Sequence, residues 1–181
     1  MKLINSLAPS FLDWPMIIIS STYFWLSVFV ILTIRGYLKI DPSIFKRTMT
    51  LIIICFALTD FISGNIAKPN IKRLRPCKEK TLRPQLNRNK IVRCGGMYGF
   101  FSSHASNSFG IAFLLLFLLQ LKTIMKLGLL SIPFLISFSR IYLAKHYPTD
   151  IIAGLFFGLL IAFLLSKTKF FKKLKEDYIL N

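Results

Sequence analysis

The sequence predicts an all-α integral membrane protein, a helical bundle of about five transmembrane helices with an additional N-terminal interfacial helix. Of 181 residues, 54% are hydrophobic and only 17% are charged, and the mean hydropathy is +0.59. The core of a soluble domain of this size does not need so much apolar surface. The composition therefore excludes a disordered chain, a disulfide-stabilised miniprotein and an ordinary soluble domain. We expect one domain over residues 1–181.

Five apolar runs are long enough to be membrane-spanning helices. A hydrocarbon core about 30 Å thick needs about 17 to 25 helical residues, and the candidate runs are Pro15–Ile34, Thr48–Ala67, Ala105–Leu121, Leu127–Ala144 and Ile151–Ser166. The first run lacks a small-residue cleavage site, so we expect a retained helix and not a signal peptide. The preceding segment, Leu3–Trp14, is too short and polar to cross and is expected to lie along the interface.

The fifth run also contains small residues at a regular spacing. Gly154, Gly158 and Ala162 recur every four residues, which places them on one side of a helix. Such a stripe lets a neighbouring helix approach closely, so we interpret it as a packing surface.

Five crossings would divide the connecting segments between two faces of the membrane. The tail face holds residues 35–47, residues 122–126 and the tail from Lys167, and the histidine face holds the N-terminus, residues 68–104 and the segment around His146. Of the 24 Lys and Arg residues, 11 fall on the tail face and 13 on the histidine face, so the count alone does not give an orientation. The charges of the tail face lie in short loops next to helix ends, where the positive-inside rule is strongest. We therefore expect the tail face to be cytoplasmic.

The formal net charge of +17 requires an anionic partner. Lipid headgroups, nucleic acid and a phosphorylated substrate are the three candidates. Ten Lys and Arg residues and a single acid, Glu79, lie in the segment 68–93. This segment lies between membrane spans and lacks interleaved aromatic residues, so we expect no nucleic-acid binding and contact with anionic membrane lipids instead.

Both histidines, His104 and His146, fall on the histidine face next to helix ends. His146 lies four residues before Asp150, and Pro148 between them is typical of an early helical position. A carboxylate in the first turn can accept the ring N–H of His146, fix its tautomer and leave the other nitrogen exposed as a base or nucleophile. Taken alone, this pair would more often be a structural hydrogen bond at a helix start.

Three cations from separate segments accompany the histidines and favour a functional site. Arg140 interrupts an otherwise apolar run, and a guanidinium at that depth should face a cavity and an anion. Lys68 and Arg75 bracket the sequence KPNIKRLR after the second run. Arginine supplies a fork of donors and lysine a point charge, so together these groups could surround a tetrahedral phosphate.

This arrangement resembles the type-2 phosphatidic acid phosphatase (PAP2) superfamily of membrane lipid phosphatases. The family pattern is K-x6-RP, then PSGH, then SR-x5-H-x3-D. The first and third elements match completely, through Lys68, Arg75 and Pro76 and through Ser139, Arg140, His146 and Asp150. The second element retains a serine and the histidine but departs at two positions, and its residues here are Phe101, Ser102, Ser103 and His104.

The resemblance implies a covalent phosphohistidine mechanism that uses no metal and no cofactor. His146 would attack phosphorus, Asp150 would orient it, and His104 would protonate the leaving oxygen and then activate water. The phosphoryl oxygens would be held by Lys68, Arg75, Arg140, the Ser102 hydroxyl and the Ser103 backbone N–H. Because Ser103 stands where glycine is usual, a left-handed backbone there would cost about 1 kcal/mol or more.

The expected function is removal of the terminal phosphate of a membrane lipid phosphate or diphosphate. The resemblance implies undecaprenyl diphosphate, phosphatidylglycerol phosphate, phosphatidic acid or lipid A as substrate classes, of which we expect undecaprenyl diphosphate first and phosphatidylglycerol phosphate second. The expected location is a bacterial cytoplasmic (inner) membrane, with the site facing the periplasm. A lipid phosphotransferase with the same site, a non-catalytic lipid-binding or transport protein and an inactive family member are the alternatives.

Two further features have structural interpretations. Asp60 lies in the second apolar run, about 12 Å of helical rise from Lys68, so we expect a polar structural partner, either Asn65 or a group on another helix. Cys77 and Cys94 lie in the long segment of the histidine face. If the histidine face is periplasmic, they could form a disulfide that closes this segment, and two free thiols are an equal alternative.

Overall fold

The computed structural model describes residues 4–5, 8–87 and 94–180. Seven α-helices in this part of the chain are labelled here in order: α1 (Asp13–Ile19), α2 (Thr22–Lys39), α3 (Pro42–Phe61), α4 (Ser103–Leu118), α5 (Thr123–Tyr142), α6 (Pro148–Ser166) and α7 (Lys169–Leu180). Helix α3 continues without a break into a π-helix, Ile62–Ala67, and a last α-helical turn, Lys68–Ile71. Short 3₁₀ turns occupy Ser10–Leu12, Pro76–Lys78 and Arg83–Gln85, and the described residues form no β-strand.

The all-α membrane fold predicted from the sequence is confirmed. Within the described ranges, the continuous helix Pro42–Ile71 and helices α5 and α6 are long and apolar enough to cross a membrane. A fourth crossing results if Ser10–Ile19 and Thr22–Lys39 are taken as one bent span. Helix α4 has 16 residues and falls short of a full crossing. By length and composition, three or four spans therefore qualify, where the sequence predicted about five.

The first predicted span, Pro15–Ile34, is not one straight helix. The two helices that cover it are bent by 55° relative to each other, because Ser21 between them is in an extended conformation. Of the predicted interfacial segment Leu3–Trp14, residues 3, 6 and 7 lie outside the described residues. Trp14 in the described part is 75% exposed, as an anchor at the membrane surface requires.

Helix α4 lies at the centre of the bundle and packs against α3, α5 and α6. Its tightest partner is α6, through the predicted stripe of small residues. A Cβ atom at Gly154 would lie 2.8 Å from the Ser102 carbonyl oxygen, and one at Gly158 would lie 2.5 Å from the Ser106 carbonyl oxygen. The backbones can approach this closely only because both positions are glycine. The contact holds the first turns of α4 and α6 side by side.

The C-terminal helix α7 folds back onto the beginning of α3. Phe171 and Leu174 are buried in the main apolar core, Asp177 pairs with Arg47 at 2.5 Å, and the Tyr178 hydroxyl lies 3.0 Å from the Thr48 hydroxyl. Helix α7 therefore covers the end of the bundle opposite to the two histidines.

Asp60 is bound by a polar group of another helix, one of the two partnerships that the sequence suggested. The side-chain amide of Asn107 in α4 donates a 3.0 Å hydrogen bond to Asp60 Oδ1. This bond joins α3 to α4 about one helical turn after His104 along α4.

We predict that Gly158→Ala lowers the melting temperature of the detergent-solubilised protein. The added methyl group would meet backbone atoms of Ser106 and Gly110, at 2.5 and 2.7 Å, and overpacking of this kind costs about 1–3 kcal/mol. The measurement is thermal unfolding followed by intrinsic fluorescence. Gly128→Ala is the matched control, since a Cβ at Gly128 has no atom within 4 Å. An equal effect of both substitutions would contradict the packing role of Gly158.

Candidate active site

The end of α3 delivers Lys68 to the beginning of α4. The π-helix Ile62–Ala67 immediately precedes Lys68, and short π-helical segments within α-helices occur frequently at functional sites. Lys68 Nζ donates a hydrogen bond to the Ser103 hydroxyl, and that hydroxyl lies 2.6 Å from the hydroxyl of Ser63 within the π-helix. The predicted phosphate ligands Lys68 and Ser103 are therefore in direct contact.

The segment after α3 is extended and carries Arg75 into the interior. The Arg75 backbone N–H donates to the Met97 carbonyl at 3.1 Å, and the Gly99 N–H donates to the Arg73 carbonyl at 2.8 Å. Arg75 is 8% exposed. Its Nη1 lies 3.2 Å from His146 Nε2 and donates to the Lys145 carbonyl at 3.4 Å.

His146 and Asp150 have the local arrangement predicted from their spacing. His146 lies in the connection between α5 and α6 and is 1% exposed, while Asp150 lies in the first turn of α6 and is fully buried. Nδ1 of His146 lies 3.5 Å from Asp150 Oδ2. The same carboxylate oxygen accepts a 2.9 Å hydrogen bond from the Tyr147 backbone N–H. Asp150 Oδ1 accepts a 2.8 Å hydrogen bond from Arg73 Nη1.

The neighbours of the His146 ring determine its tautomer and charge. A guanidinium can only donate, so Nε2, which faces Arg75, carries the lone pair, and the ring proton is on Nδ1 toward Asp150. Burial lowers the pKa of His146 to about 3; Arg75 and Arg140 contribute to the decrease and Asp150 opposes it. His146 is therefore neutral at physiological pH and has an available lone pair on Nε2.

His104 faces the same group of side chains from the first turn of α4. The residue is partly buried, and it interacts electrostatically with Arg140, His146, Lys145 and Lys68. The structure therefore brings both histidines together with the predicted cations, although they are 42 residues apart in the sequence.

Arg140 is buried at the end of α5 and is fixed by the break between α1 and α2. Its Nη1 donates to the Ser20 carbonyl at 3.1 Å and to the Ser20 hydroxyl. Lys145 Nζ lies 3.5 Å from the same hydroxyl. The two cations are thus neighbours, and Nε of Arg140 has no hydrogen-bond partner among the described residues.

The two serines predicted to complete the phosphate cradle also connect the helices. Ser102 is fully buried; its hydroxyl accepts a 3.4 Å hydrogen bond from Ala105 N–H and caps α4, and its own N–H donates to the Asp150 carbonyl at 3.1 Å. Ser103 is the first residue of α4. The left-handed backbone considered for it does not occur, since Lys72 and Ala144 are the non-glycine residues with positive φ in the described ranges. The phosphate contacts of Ser102 and Ser103 stay predictions.

Sequence reasoning missed three residues of this site. Arg73 binds Asp150, and its place two residues before Arg75 in an extended segment could have indicated that both point to one side. Gly99 lies against the carboxylate, since a Cβ there would be 3.1 Å from Asp150 Oδ2. Lys145, which joins the cations, has no distinguishing pattern in the sequence.

Among the described residues, no group of three or more His, Cys, Asp and Glu side chains could hold a metal ion.

Cys77 and Cys94 form a disulfide with a Cα–Cα distance of 6.1 Å. The bridge closes the segment that follows Arg75 and brings Gly95 against the Arg75 guanidinium, where a Cβ would lie 3.8 Å from Cζ. Of the two states left open by the sequence, the structure contains the bonded one.

Comparison with known proteins gives two relatives with the same name. A stretch of 110 residues is 34% identical to a lipid A 4'-phosphatase of Bacteroides thetaiotaomicron and covers 59% of this chain and 48% of that protein. A stretch of 164 residues is 24% identical to a lipid A 4'-phosphatase of Porphyromonas gingivalis and covers 91% of this chain and 69% of that protein. The chain thus spans about half the length of the Bacteroides relative. No solved structure matches the chain.

The family model of the PAP2 superfamily matches residues 47–174. This range contains all three sequence elements and helices α4, α5 and α6, and it covers well over half of the chain. The protein therefore belongs to the PAP2 superfamily.

Proposed function

We propose that this chain is a lipid phosphatase that removes a terminal phosphate through a covalent intermediate on His146. The observation that carries the proposal is the geometry of that side chain: a buried imidazole with Nδ1 3.5 Å from Asp150 Oδ2 and Nε2 3.2 Å from Nη1 of the Arg75 guanidinium. A phosphoryl group held by Arg75 would lie next to the nucleophilic nitrogen.

In the first step, Nε2 of His146 forms a bond to phosphorus while the bond from phosphorus to the lipid oxygen breaks. The departing oxygen receives a proton from His104, and the lipid leaves as an alcohol, or as a monophosphate if the substrate is a diphosphate. The ring of His146 becomes positively charged, and Asp150 stabilises this charge through Nδ1. For this role His104 must enter the cycle protonated, and the negative charge of a bound phosphate favours that form; the ring is near enough to His146 for the two to interact electrostatically.

In the second step, His104 accepts a proton from water, and the water oxygen forms a bond to phosphorus. The bond between phosphorus and Nε2 breaks, inorganic phosphate leaves, and both histidines return to their initial states. Arg73 keeps the Asp150 carboxylate in place through the 2.8 Å ion pair with Oδ1 throughout the cycle.

Transition-state charge would be stabilised by the cations around the histidines. Lys68, Arg75, Arg140 and Lys145 converge on this region, and the buried acid beside them, Asp150, is already paired with Arg73. Uncompensated positive charge at a buried site favours a multiply charged anion and stabilises the charge that develops on phosphoryl oxygens. Lys145 is an addition to the three cations expected from the sequence.

For the substrate, the names of the two relatives give first place to a phosphate monoester on a glycolipid of the lipid A type. Undecaprenyl diphosphate, expected first from the sequence, takes second place, followed by phosphatidylglycerol phosphate. We further propose that the histidine face lies on the periplasmic side of a bacterial inner membrane. Support comes from the disulfide on that face, because disulfides persist in oxidising compartments.

We predict that the purified protein releases phosphate from at least one lipid of a panel comprising a lipid A 4'-phosphate, undecaprenyl diphosphate and phosphatidylglycerol phosphate. Release should continue in EDTA, since the proposed chemistry is carried by side chains. His146→Ala should reduce the rate by at least about 10³-fold, because it removes the nucleophile. The assay measures released phosphate colorimetrically, with one lipid of the panel at a time.

Tyr178→Phe is a matched control at the opposite end of the bundle, where it removes only the hydroxyl that contacts Thr48. It should retain the wild-type rate. Activity of His146→Ala close to that of this control would contradict the proposal. A phosphorylated acceptor appearing in place of inorganic phosphate would identify a phosphotransferase.

We predict that Lys145 contributes an alkaline limb to the pH dependence of kcat/KM. Burial, with Arg140 and Arg75 nearby, lowers the pKa of Lys145 to about 8, so its positive charge is present below pH 8 and lost above it. Loss of one cation should decrease kcat/KM by about three- to tenfold between pH 7 and pH 9.5. Lys145→Arg should retain the charge and make this decrease smaller.

The comparison requires full pH profiles of the wild type, Lys145→Arg and Lys145→Met with the same lipid. Lys145→Met should show the lower value already at pH 7 and a correspondingly weaker decrease at alkaline pH. Three profiles of identical shape would exclude Lys145 from the binding of the phosphorylated substrate.

A further inference from the structure

We infer that the Cys77–Cys94 disulfide positions Arg75 for phosphate binding, so that the affinity of the site for a phosphoryl group depends on oxidation of this pair. The inference rests on the proposed function, because it assigns a determinant of the same anion site. The two cysteines are positioning residues: they would act through Arg75 and do not contact the reacting atoms themselves.

The disulfide joins the two segments between which Arg75 lies. Cys77 follows Arg75 by two residues, and Cys94 directly precedes Gly95, whose backbone lies against the guanidinium. Gly95 has a φ of +81°, a conformation that glycine adopts without strain. One covalent bond therefore sets the distance between the backbone that carries Arg75 and the backbone that borders its side chain.

Hydrogen bonds connect the same two segments further along. Arg75 N–H donates to the Met97 carbonyl at 3.1 Å, and Gly99 N–H donates to the Arg73 carbonyl at 2.8 Å. A third bond, from Cys77 N–H to the Ala144 carbonyl at 3.1 Å, attaches the bridge to the connection that carries His146. The disulfide thus lies at one end of a short series of contacts between these two segments, and the hydrogen bonds of the series lie next to the site.

Few direct contacts hold the side chain of Arg75. Its ordered contacts are a His146 nitrogen at 3.2 Å and a carbonyl at 3.4 Å, and its Nε has no hydrogen-bond partner among the described residues. Arg140 lies near enough to repel it, and Asp150 attracts it. A buried guanidinium held by so few hydrogen bonds keeps its position only as long as the surrounding backbone keeps its own.

Reduction removes the one covalent constraint on this arrangement. The bridge closes a sequence separation of 17 residues, so breaking it returns conformational freedom to the segment that borders Arg75. We expect Arg75 to lose its fixed position while Asp150 keeps its place in the first turn of α6, where Arg73 and the Tyr147 N–H bind its carboxylate. The defect should therefore appear in phosphate binding more than in the chemical step.

The test uses the full chain with Cys55→Ala, so that the thiols titrated after reduction are those of Cys77 and Cys94 alone, and the reductant is removed before vanadate is added because thiol reductants reduce vanadate. KM and kcat for the best lipid substrate, and inhibition by orthovanadate as a phosphate analogue, are measured before and after complete reduction, verified by titration of two thiols. Reduction should raise KM and the vanadate inhibition constant by about tenfold, the scale of one charge-assisted hydrogen bond, with a smaller change in kcat. Unchanged values after full reduction would overturn the inference.

Arg75→Lys separates positioning from general stabilisation. If the disulfide acts through the guanidinium, reduction should change KM by less than about twofold in Arg75→Lys, since the two effects are coupled. If the disulfide only stabilises the fold, its reduction would lower the melting temperature and change KM by the same ratio, reduced to oxidised, in the wild-type and Arg75→Lys backgrounds. This result would also overturn the inference. The variant Cys77→Ser with Cys94→Ser should match the reduced protein and be insensitive to reductant.

Vanadate binding distinguishes failure of the inference from failure of the proposed function. If the oxidised protein hydrolyses no lipid of the panel, the proposed phosphatase function fails. Vanadate affinity measured by thermal shift then still reports on the anion site. Its dependence on the disulfide, and the loss of that dependence in Arg75→Lys, would support the positioning role, whereas equal affinity in both redox states would exclude it.

Discussion

The buried carboxylate of Asp150 is the group on which the arrangement of the site depends. It has no exposed surface, and an ionised carboxylate at such a position must be compensated by donors or cations. Arg73 and the Tyr147 backbone provide this compensation at 2.8 and 2.9 Å. The backbone carbonyl of Asp150 accepts a hydrogen bond from the Ser102 N–H. One residue thereby joins the segment after α3, the start of α4 and the His146 connection, and the position of each catalytic candidate follows from these bonds.

The distribution of charged side chains in the site complements the structural role of Asp150. Asp150 pairs with Arg73 and also attracts Arg75, so one buried carboxylate faces a group of cations that further includes Lys68, Arg140 and Lys145. In the low dielectric of the bundle interior such a cluster is unfavourable when empty and favourable when it holds a multiply charged anion. Backbone contacts, such as those of Ser20 with Arg140, and hydroxyl groups, such as that of Ser103 with Lys68, hold the cations without cancelling their charge.

Features set by local sequence were predicted well, and features set by tertiary contacts were not. The spacing of His146, Pro148 and Asp150 determines a helix start with a carboxylate in its first turn, and the structure has this geometry. The glycine stripe of α6 likewise follows from helical periodicity alone. In contrast, the bend at Ser20 and Ser21 follows no proline or glycine, and it places Ser20 beside Arg140, a partner 120 residues away. The pairing of Arg73 with Asp150 spans 77 residues, and no periodic pattern reports contacts at that separation.

The modest length of α4 shapes the end of the bundle where the histidines lie. Sixteen residues correspond to about 24 Å of helix, which is about 6 Å less than the thickness of a hydrocarbon core. The far end of α4, at Leu118, is buried in the apolar core beside Leu174 of α7, while its first turn contacts Lys68. Helix α3, extended to Ile71, continues past this level. Because a 16-residue helix is shorter than the hydrocarbon core, a site at its first turn would be within reach of a phosphate whose acyl chains stay in their leaflet.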